Sequence, residues 1–235
     1  MLELRDLVKH YRVGEDEPVR AVDGVSLSVG AGELVALYGP SGSGKTTLLM
    51  LIAALLRPDG GKVLVGERDI SALSEEESAR YRLLELGFVR QTLHLIPGVS
   101  ALDNAALKLL GTDLTPRQAR RRVSPLLEEL GLGERLRHRP EQLSMGERQR
   151  VMIARALSTE PKLVLADEPT GSLDSRRSRE VLELFTGICR ERRMAVVIVT
   201  HDPQAAGYAD SVHALRDGRL VEDEPQAVLG TLDVH

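Results

Sequence analysis

The sequence has one cysteine, no tryptophan and two phenylalanines among 235 residues. Its single cysteine, Cys189, cannot form a disulfide within the chain, which fits a reducing compartment. So few aromatic rings leave little with which to stack nucleic-acid bases, and a net charge of -4 gives no overall basic field. These scarcities exclude a disulfide-stapled scaffold and argue against nucleic acid as a partner.

A long apolar segment is also missing. The longest apolar run, LLMLIAALL at 48–56, is far shorter than the ~20 residues needed to cross a bilayer. The N-terminal stretch MLELRDLVKHYRV alternates apolar and polar residues like a strand and lacks the apolar core of a signal peptide. We therefore expect a cytoplasmic protein. Its composition, 42% hydrophobic and 28% charged without repeats, is that of a globular domain.

Strand-like segments dominate the first part of the chain: LELRDL, GVSLSV, ELVALY and KVLVGERDI. One helical pattern, at 44–56, interrupts them. From about 74 to 158 the pattern becomes mainly helical. The predicted helices there cover 75–86, 101–110, 116–130 and 146–157.

After Pro161 strands and helices alternate again. The strands KLVLAD and MAVVIVT flank a helix predicted at 175–192, and a hairpin is expected around Asp217 and Gly218. Alternation of buried strands with helices predicts a parallel sheet with helices on both faces. The helical middle is therefore expected to be an insertion in an α/β core.

The segment LVALYGPSGSGKTTLLM places Gly-x4-Gly-Lys-Thr between a continuous apolar strand and a helix, as the P-loop pattern requires. Glycines let backbone N–H groups converge on phosphate oxygens without obstruction by a Cβ atom. Lys45 supplies charge for the β- and γ-phosphates, and Thr46 can ligate Mg²⁺. A chance glycine-rich turn is the disfavoured alternative. The predicted nucleotide-binding residues of this loop are Gly39, Pro40, Ser41, Gly42, Ser43, Gly44, Lys45, Thr46 and Thr47.

Two carboxylates end the second buried strand, KLVLAD. Asp167 is the natural Mg²⁺ partner, and Glu168 is the candidate base that orients an attacking water. Neighbouring strand residues face opposite ways, so both can serve one site only if the strand stops there. Pro169 predicts that stop. Two solvated acids at a strand end are the alternative.

A third strand, MAVVIVT, brings His201 to the edge where ligands of open α/β sheets bind. At that edge the imidazole can contact a γ-phosphate or the attacking water. A loop-capping surface histidine is the alternative.

The stretch QLSMGERQR contains a second candidate anion site. Ser144 and Glu147 stand three residues apart as a capping box, and an apolar-faced helix follows. Ser144, Gly146 and the helix dipole can together hold an anion. From spacing alone, a box that merely starts a helix is favoured.

The set GPSGSGKT, LSMGERQR, LVLADEPTGSLD and VTHD, in this order, resembles the nucleotide-binding subunit of ABC transporters over essentially the whole chain. It looks most like the branch serving macrolide exporters and lipoprotein release. The resemblance implies a P-loop NTPase (RecA-like) α/β core with an N-terminal antiparallel β subdomain, about 1–90 and 159–235. An inserted α-helical subdomain is expected at about 91–158.

The same resemblance implies an ATPase that uses ATP and Mg²⁺. Its expected partners are an integral-membrane permease, which holds it peripherally on the inner face of the membrane, and a second copy of itself. In the ATP-sandwich dimer of this family, the signature loop of one subunit closes on the γ-phosphate held by the other. Ser144, Gly146 and Glu147 would then serve the partner's ATP.

Further roles come only from the resemblance. Tyr11 matches the aromatic that stacks on adenine, and Gln91 the glutamine that contacts Mg²⁺ and the water. Asp174 matches an interface aspartate, and His201 the switch histidine. A strand aromatic and a loop glutamine are the plainer alternatives for the first two.

Three positions depart from the family pattern. Met145 replaces the first glycine of Leu-Ser-Gly-Gly, so we expect altered signature geometry and slower hydrolysis. Arg90 stands where a bulky aromatic is common and Lys108 where proline is common, both near the surface expected to meet the permease.

Other classes of ATPase fit less well. An amino-acid importer subunit is the second hypothesis. A DNA-repair or chromosome-organising ATPase would need a long coiled coil between its P-loop and signature, and no sustained heptads occur here. A P-loop kinase or GTPase would lack the signature stretch, and no Asn-Lys-x-Asp guanine motif is present.

Overall fold

The computed structural model describes residues 1–12, 18–171 and 173–221. The strands are β1 Leu2–Tyr11, β2 Val19–Val29, β3 Leu34–Tyr38, β4 Gly60–Val65, β5 Arg68–Asp69, β6 Leu86–Val89, β7 Leu163–Asp167, β8 Ala195–Thr200, β9 Ser211–Arg216 and β10 Arg219–Val221. The α-helices are α1 Lys45–Ile52, α2 Glu75–Leu84, α3 Ala101–Ala106, α4 Pro116–Glu129, α5 Met145–Leu157, α6 Ser175–Glu191 and α7 Pro203–Ala206. Short 3-10 helices cover Leu107–Gly111, Gly133–Arg135 and Pro140–Gln142.

The larger sheet has the strand order β10-β9-β3-β8-β7-β6. Its strands run parallel except for β10, which returns from β9 as a hairpin. Strands β3, β7 and β8 are almost wholly buried, as their continuous apolar sequences predict. Because β3, β8 and β7 are adjacent and run parallel, their carboxyl ends lie side by side. The predicted parallel α/β core is confirmed.

A smaller antiparallel sheet, ordered β2-β1-β4-β5, covers the other side of α1. Leu48, Leu49 and Ile52 of α1 are fully buried in one core with apolar residues of both sheets. Burial on both faces explains why the sequence around α1 is apolar all round. The predicted N-terminal antiparallel sheet is confirmed.

Helices α3, α4 and α5 lie between β6 and β7 in the chain and share a second core with the opposite face of the sheet. Three α-helices in the described part of the chain begin with a complete capping box: Ser74 with Glu77, Thr115 with Gln118, and Ser144 with Glu147. These caps explain why the predicted helix starts agree with the structure.

Three predicted helices were wrong at their ends. The helix expected at 75–86 ends at Leu84, and β6, which the sequence reading missed, follows it almost at once. The helix expected at 44–56 ends at Ile52, where Ala54 takes a left-handed φ of 50°. The one expected at 101–110 becomes a 3-10 helix from Leu107. Within the described residues, no helix is long and apolar enough to span a bilayer.

Candidate functional site

The P-loop, residues 39–47, connects β3 to α1 and surrounds the side chain of Lys45. Lys45 Nζ donates to the carbonyl oxygens of Gly39 and Pro40 at 2.6 and 2.7 Å. Burial lowers the pKa of this amine, and the charges of Glu168 and Asp167 oppose that shift. The loop therefore holds a partly desolvated cation beside its own backbone.

The glycines of the loop have two different reasons to be glycine. Gly42, with a φ of 83°, has nothing within 4 Å of the place a Cβ atom would take. A Cβ atom on Gly39 would instead overlap the carbonyl oxygen of Leu215, and one on Gly44 that of Ala21. We attributed these glycines to close approach by phosphate; for Gly39 and Gly44 the structure adds contact with the protein's own backbone.

Asp167 ends β7 and faces the start of α1. Its Oδ2 accepts a hydrogen bond from Thr46 Oγ1 at 3.5 Å. Burial, and then the charge of Glu168, raise the pKa of Asp167, while Thr46 and Lys45 act in the opposite direction. Hydroxyl and carboxylate oxygens are the ligands that Mg²⁺ prefers, so this pair fits the predicted metal.

Glu168 lies where the strand has just ended. Its φ of 47° turns the chain, and its N–H donates to the carbonyl of Val199 at 2.9 Å. Its Oε2 accepts from Thr200 Oγ1 at 3.2 Å, and its Oε1 is 2.6 Å from Nδ1 of His201. The Glu168 side chain is 11% exposed and that of His201 67%. A strained backbone and two side-chain partners thus fix one carboxylate at the sheet edge.

An open cavity of about 910 Å³ joins these groups. Of the predicted site residues, it is lined by Tyr11, Pro40, Ser41, Gly42, Gly44, Lys45, Thr46, Thr47, Gln91, Asp167, Glu168 and His201. Gly39 and Ser43 do not line it. Tyr11 is the cross-strand neighbour of Val19, and Gln91 lies beside Gly171 and Glu168.

Four residues of the cavity wall were missed by the sequence reading: Val19, Arg20, Ala21 and Asp217. The first three belong to β2, and pairing of β2 with β1 in the antiparallel sheet brings them to the cavity. Asp217 had been assigned to a hairpin turn, which is where it lies, with a φ of 47°. Nothing in its spacing indicated that this turn reaches the P-loop.

The signature loop, residues 144–147, lies outside this cavity. Ser144 Oγ accepts from the Glu147 N–H at 3.3 Å, and Glu147 Oε2 accepts from the Ser144 N–H at 2.7 Å. Burial raises the pKa of Glu147, but hydrogen bonds from Ser144 and Arg135 lower it by a larger amount. The pKa therefore lies below its ordinary value. Met145 is 39% exposed. The start of α5 is therefore a capped helix N-terminus that does not line the cavity of the chain's own P-loop.

Asp174 caps the N-terminus of α6. Its Oδ1 accepts from the Arg177 N–H at 2.9 Å, and its Oδ2 is 3.2 Å from Arg177 Nη1. A Cβ atom on Gly146 would lie 3.9 Å from Arg177 Cδ. The start of α6 is therefore next to the signature loop within one chain.

A buried polar group ties the segment after Gln91 to the signature helix α5. Asn104 is fully buried, and its side chain bonds backbone groups of Ile96, Val99 and Ser100. Arg155 of α5 donates to Asn104 Oδ1 and to the carbonyl of His94, each at 2.8 Å. Movement of this segment and movement of α5 are thus mechanically connected.

Lys108 points inward. Its Nζ donates to the Leu86 carbonyl at 2.6 Å and to Thr159 Oγ1 at 2.9 Å, and burial lowers its pKa to about 8. Its ammonium group links the 3-10 helix Leu107–Gly111 to the ends of β6 and α5. The expected closeness of this residue to the permease-facing surface stays a prediction.

Comparison with known proteins gives a consistent result. A family described as ABC transporter matches residues 22–171. The lipoprotein-releasing system ATP-binding protein LolD 2 of Caulobacter vibrioides is 50% identical over 94% of this chain and 96% of its own. A macrolide export ATP-binding/permease protein, MacB of Marinobacter nauticus, is 43% identical over 95% of this chain and 34% of its own.

Solved structures of ATP-binding cassettes have a similar fold. A dimeric ATP-binding cassette in a post-hydrolysis state, bound to ADP and Pi, superposes with a TM-score of 0.85 at 36% identity. The superposition covers 94% of this chain and 97% of that one.

Proposed function

The chain belongs to the ABC transporter family and is an ATP-binding, ATP-hydrolysing cassette; we propose that it powers a separate membrane permease that extrudes lipids, lipoproteins or similar cargo. The observation that supports a paired motor is that the signature loop, at the capped start of α5, does not line the cavity of the chain's own P-loop. Two copies arranged head to tail would bring each signature loop to the other's ATP.

In the proposed site, residues of the P-loop bind the phosphates and Tyr11 stacks on adenine. Mg²⁺, when bound, would be held by Thr46, Asp167 and Gln91, and would neutralise charge on the phosphates. Glu168 orients the attacking water and accepts its proton, while His201 and Thr200 hold that carboxylate in place. Ser144 and Gly146 complete the site from the partner copy, and Asp174 lies at the interface.

We propose that the permease docks on an exposed apolar surface formed by Leu55, Leu84, Ile96, Leu107 and Leu110. The segments that carry these side chains contact one another: Arg82 donates to the Ala54 carbonyl at 2.7 Å, and a Cβ on Gly111 would meet Leu83 at 3.0 Å. Asn104 bonds Ile96 from the helical side. A permease seated there would be connected to α5 through Arg155.

The proposed docking also has consequences for the location of the protein, and the division into subdomains is a separate proposal. Docking on a permease would place the chain peripherally on the inner face of the membrane. We keep the division into a helical subdomain at about 91–158 and a core as a proposal. The LolD 2 and MacB relatives favour export or lipoprotein release over the alternative of an amino-acid importer subunit.

ATPase activity per molecule, measured against protein concentration, tests the paired site. We expect it to rise with concentration and to level off where the ATP-bound dimer saturates. Light scattering on the same samples gives the fraction of dimer. Activity per molecule that stays constant in demonstrably monomeric samples would contradict the proposal.

A further inference from the structure

The turn between β9 and β10, residues 217–218, is inserted behind the P-loop. The Gly218 N–H donates to the carbonyl oxygen of Ser43 at 3.1 Å, and the Gly218 carbonyl accepts from the Asp23 N–H at 2.8 Å. The turn is therefore hydrogen-bonded to the P-loop on one side and to β2 on the other. Its two residues are about 175 positions away from the loop in sequence, a separation at which a backbone contact has no local sequence signal.

There is no spare room at this contact. A Cβ atom on Gly218 would overlap the Arg20 carbonyl oxygen, and one on Gly44 would overlap that of Ala21. The same Cβ on Gly44 would lie 3.6 Å from the Gly218 Cα. The backbones of β2, the turn and the P-loop are thus packed so closely that Gly44 and Gly218 leave no room for a Cβ atom. Gly218 also has a φ of 78°, which glycine adopts without strain.

The hydrogen bond from Gly218 has a consequence for the other side of the same peptide unit. A trans peptide is planar, so its C=O and N–H groups point in opposite directions. Fixing the Ser43 carbonyl against the turn therefore directs the Gly44 N–H away from it. Gly44 lines the nucleotide cavity, so this N–H is one of the donors available to a phosphate. Accepting a hydrogen bond also polarises the peptide and strengthens its donor.

A charged cluster holds the turn in place. Arg219, immediately after it, donates to Asp23 Oδ2 through Nε at 3.0 Å and through Nη2 at 2.8 Å. Asp23 is also 3.2 Å from Nε2 of His10, in the strand that ends at Tyr11. The cluster connects the turn to the strand pair that forms the adenine end of the cavity.

We propose that the Asp217–Gly218 turn is a positioning element of the nucleotide site, which aims the Gly44 N–H at the phosphates and so sets nucleotide affinity. The inference rests on the proposed nucleotide site and adds to it a part of the chain outside the recognised motifs. Because the backbone hydrogen bonds of Gly218 reach Ser43 and Asp23, whereas Glu168 is held by Thr200 and His201, we expect the turn to act on binding and to leave hydrolysis of bound ATP unchanged.

The test compares two glycines of similar conformation. Gly218→Ala introduces both a strained φ and an overlap with Arg20, whereas Gly66→Ala, at a φ of 64° with nothing within 4 Å, introduces the strain alone. Titration calorimetry with ADP should show a dissociation constant about tenfold higher for Gly218→Ala, equivalent to about 1.4 kcal/mol. Gly66→Ala should remain within about twofold of the unsubstituted chain, because one strained residue far from the cavity costs stability only.

A second variant keeps the test decisive if Gly218→Ala does not fold. Arg219→Gln removes the paired hydrogen bonds to Asp23 from a side chain that is 64% exposed, so folding should be retained. We expect KM for ATP to rise about threefold, with kcat at saturating ATP unchanged, as for loss of binding that is uniform in ground and transition state.

The outcomes separate cleanly. Equal ADP affinity for Gly218→Ala, Gly66→Ala and the unsubstituted chain would overturn the inference and leave the proposed function standing. Unchanged KM in Arg219→Gln, or a fall in kcat alone, would count against it in the same way. Failure of the unsubstituted chain to bind ADP would overturn the proposed function, and the inference with it.

Discussion

The P-loop and the signature loop differ in the parts of the chain that contact them. The P-loop is backed by main chain from three other parts of the fold, and Ser43 and Lys45 are 4% and 8% exposed. The signature loop is held by the capping box between Ser144 and Glu147 and by the contact of Arg135 with Glu147, and its Met145 is 39% exposed. Residues of the P-loop line a cavity of their own chain, whereas the signature loop would become part of a binding surface only in the proposed dimer.

This difference indicates how nucleotide binding and hydrolysis are expected to depend on the two loops. A preorganised loop can bind nucleotide within a single chain, because its donors are already oriented. In the proposed dimer, the signature loop presents helix N–H groups to a phosphate that is bound by the second chain. Binding is therefore expected to depend on one region, and hydrolysis on both.

The largest effect should come from Glu168→Gln, which keeps the shape of the cavity and removes the base. We expect the hydrolysis rate to fall by about 10²-fold or more, with nucleotide binding retained and an ATP-bound dimer visible by gel filtration. Glu191→Gln, at an exposed carboxylate at the end of α6, is the control and should be active. An unchanged rate in Glu168→Gln would remove its assigned role.

A smaller effect should follow from Ser144→Ala, compared with Ser74→Ala. Both serines are exposed and both cap a helix through the same box, so each substitution should cost about 1 kcal/mol of stability. Only Ser144→Ala should lower ATPase activity, by about tenfold, because a hydrogen bond to a charged phosphate is worth about 1.5 kcal/mol or more. ADP affinity should be unchanged in both. Equal activities would mean that Ser144 is only a helix cap.

Met145→Gly should change activity less. Without the side chain at the first position of α5, a phosphate can approach the helix N–H groups more closely, and we expect a few-fold faster hydrolysis, under about 1 kcal/mol in barrier. The melting temperature should fall slightly, since glycine is a poor helix residue. Slower hydrolysis would show that Met145 itself contributes to the composite site.

The smallest expected effect is proton uptake by the Lys45 amine when nucleotide binds. Burial lowers the pKa of Lys45 below its ordinary value of 10.5, so at alkaline pH part of the population is neutral. A bound triphosphate favours the charged amine and raises that pKa. Binding should therefore take up a fraction of a proton and weaken as pH rises. Calorimetry in buffers of different ionisation enthalpy measures this uptake, and Lys45→Arg, which stays protonated, should abolish it. Identical heats in all buffers would contradict the shift.

Much of this molecule could be predicted from the sequence, for physical reasons that also mark the limits. Capping residues such as Ser74 and Ser144 fix helix starts locally, and continuous apolar runs identify buried parallel strands. Strand β6 was missed because its four residues follow α2 with no break in the apolar pattern. The contact of Gly218 with Ser43 could not be predicted, because it joins two backbones without any side chain.

The most direct test of the composite site is to mix two impaired chains, Glu168→Gln and Ser144→Ala. In a mixed dimer of the proposed kind, one site contains both lesions, and the other combines an intact Glu168 with an intact signature loop. ATPase activity should therefore rise above the sum of the two residual activities on mixing and peak near an equal ratio of the two chains. If each chain works alone, the mixture will show only the sum of the two residual activities, and the paired motor is contradicted.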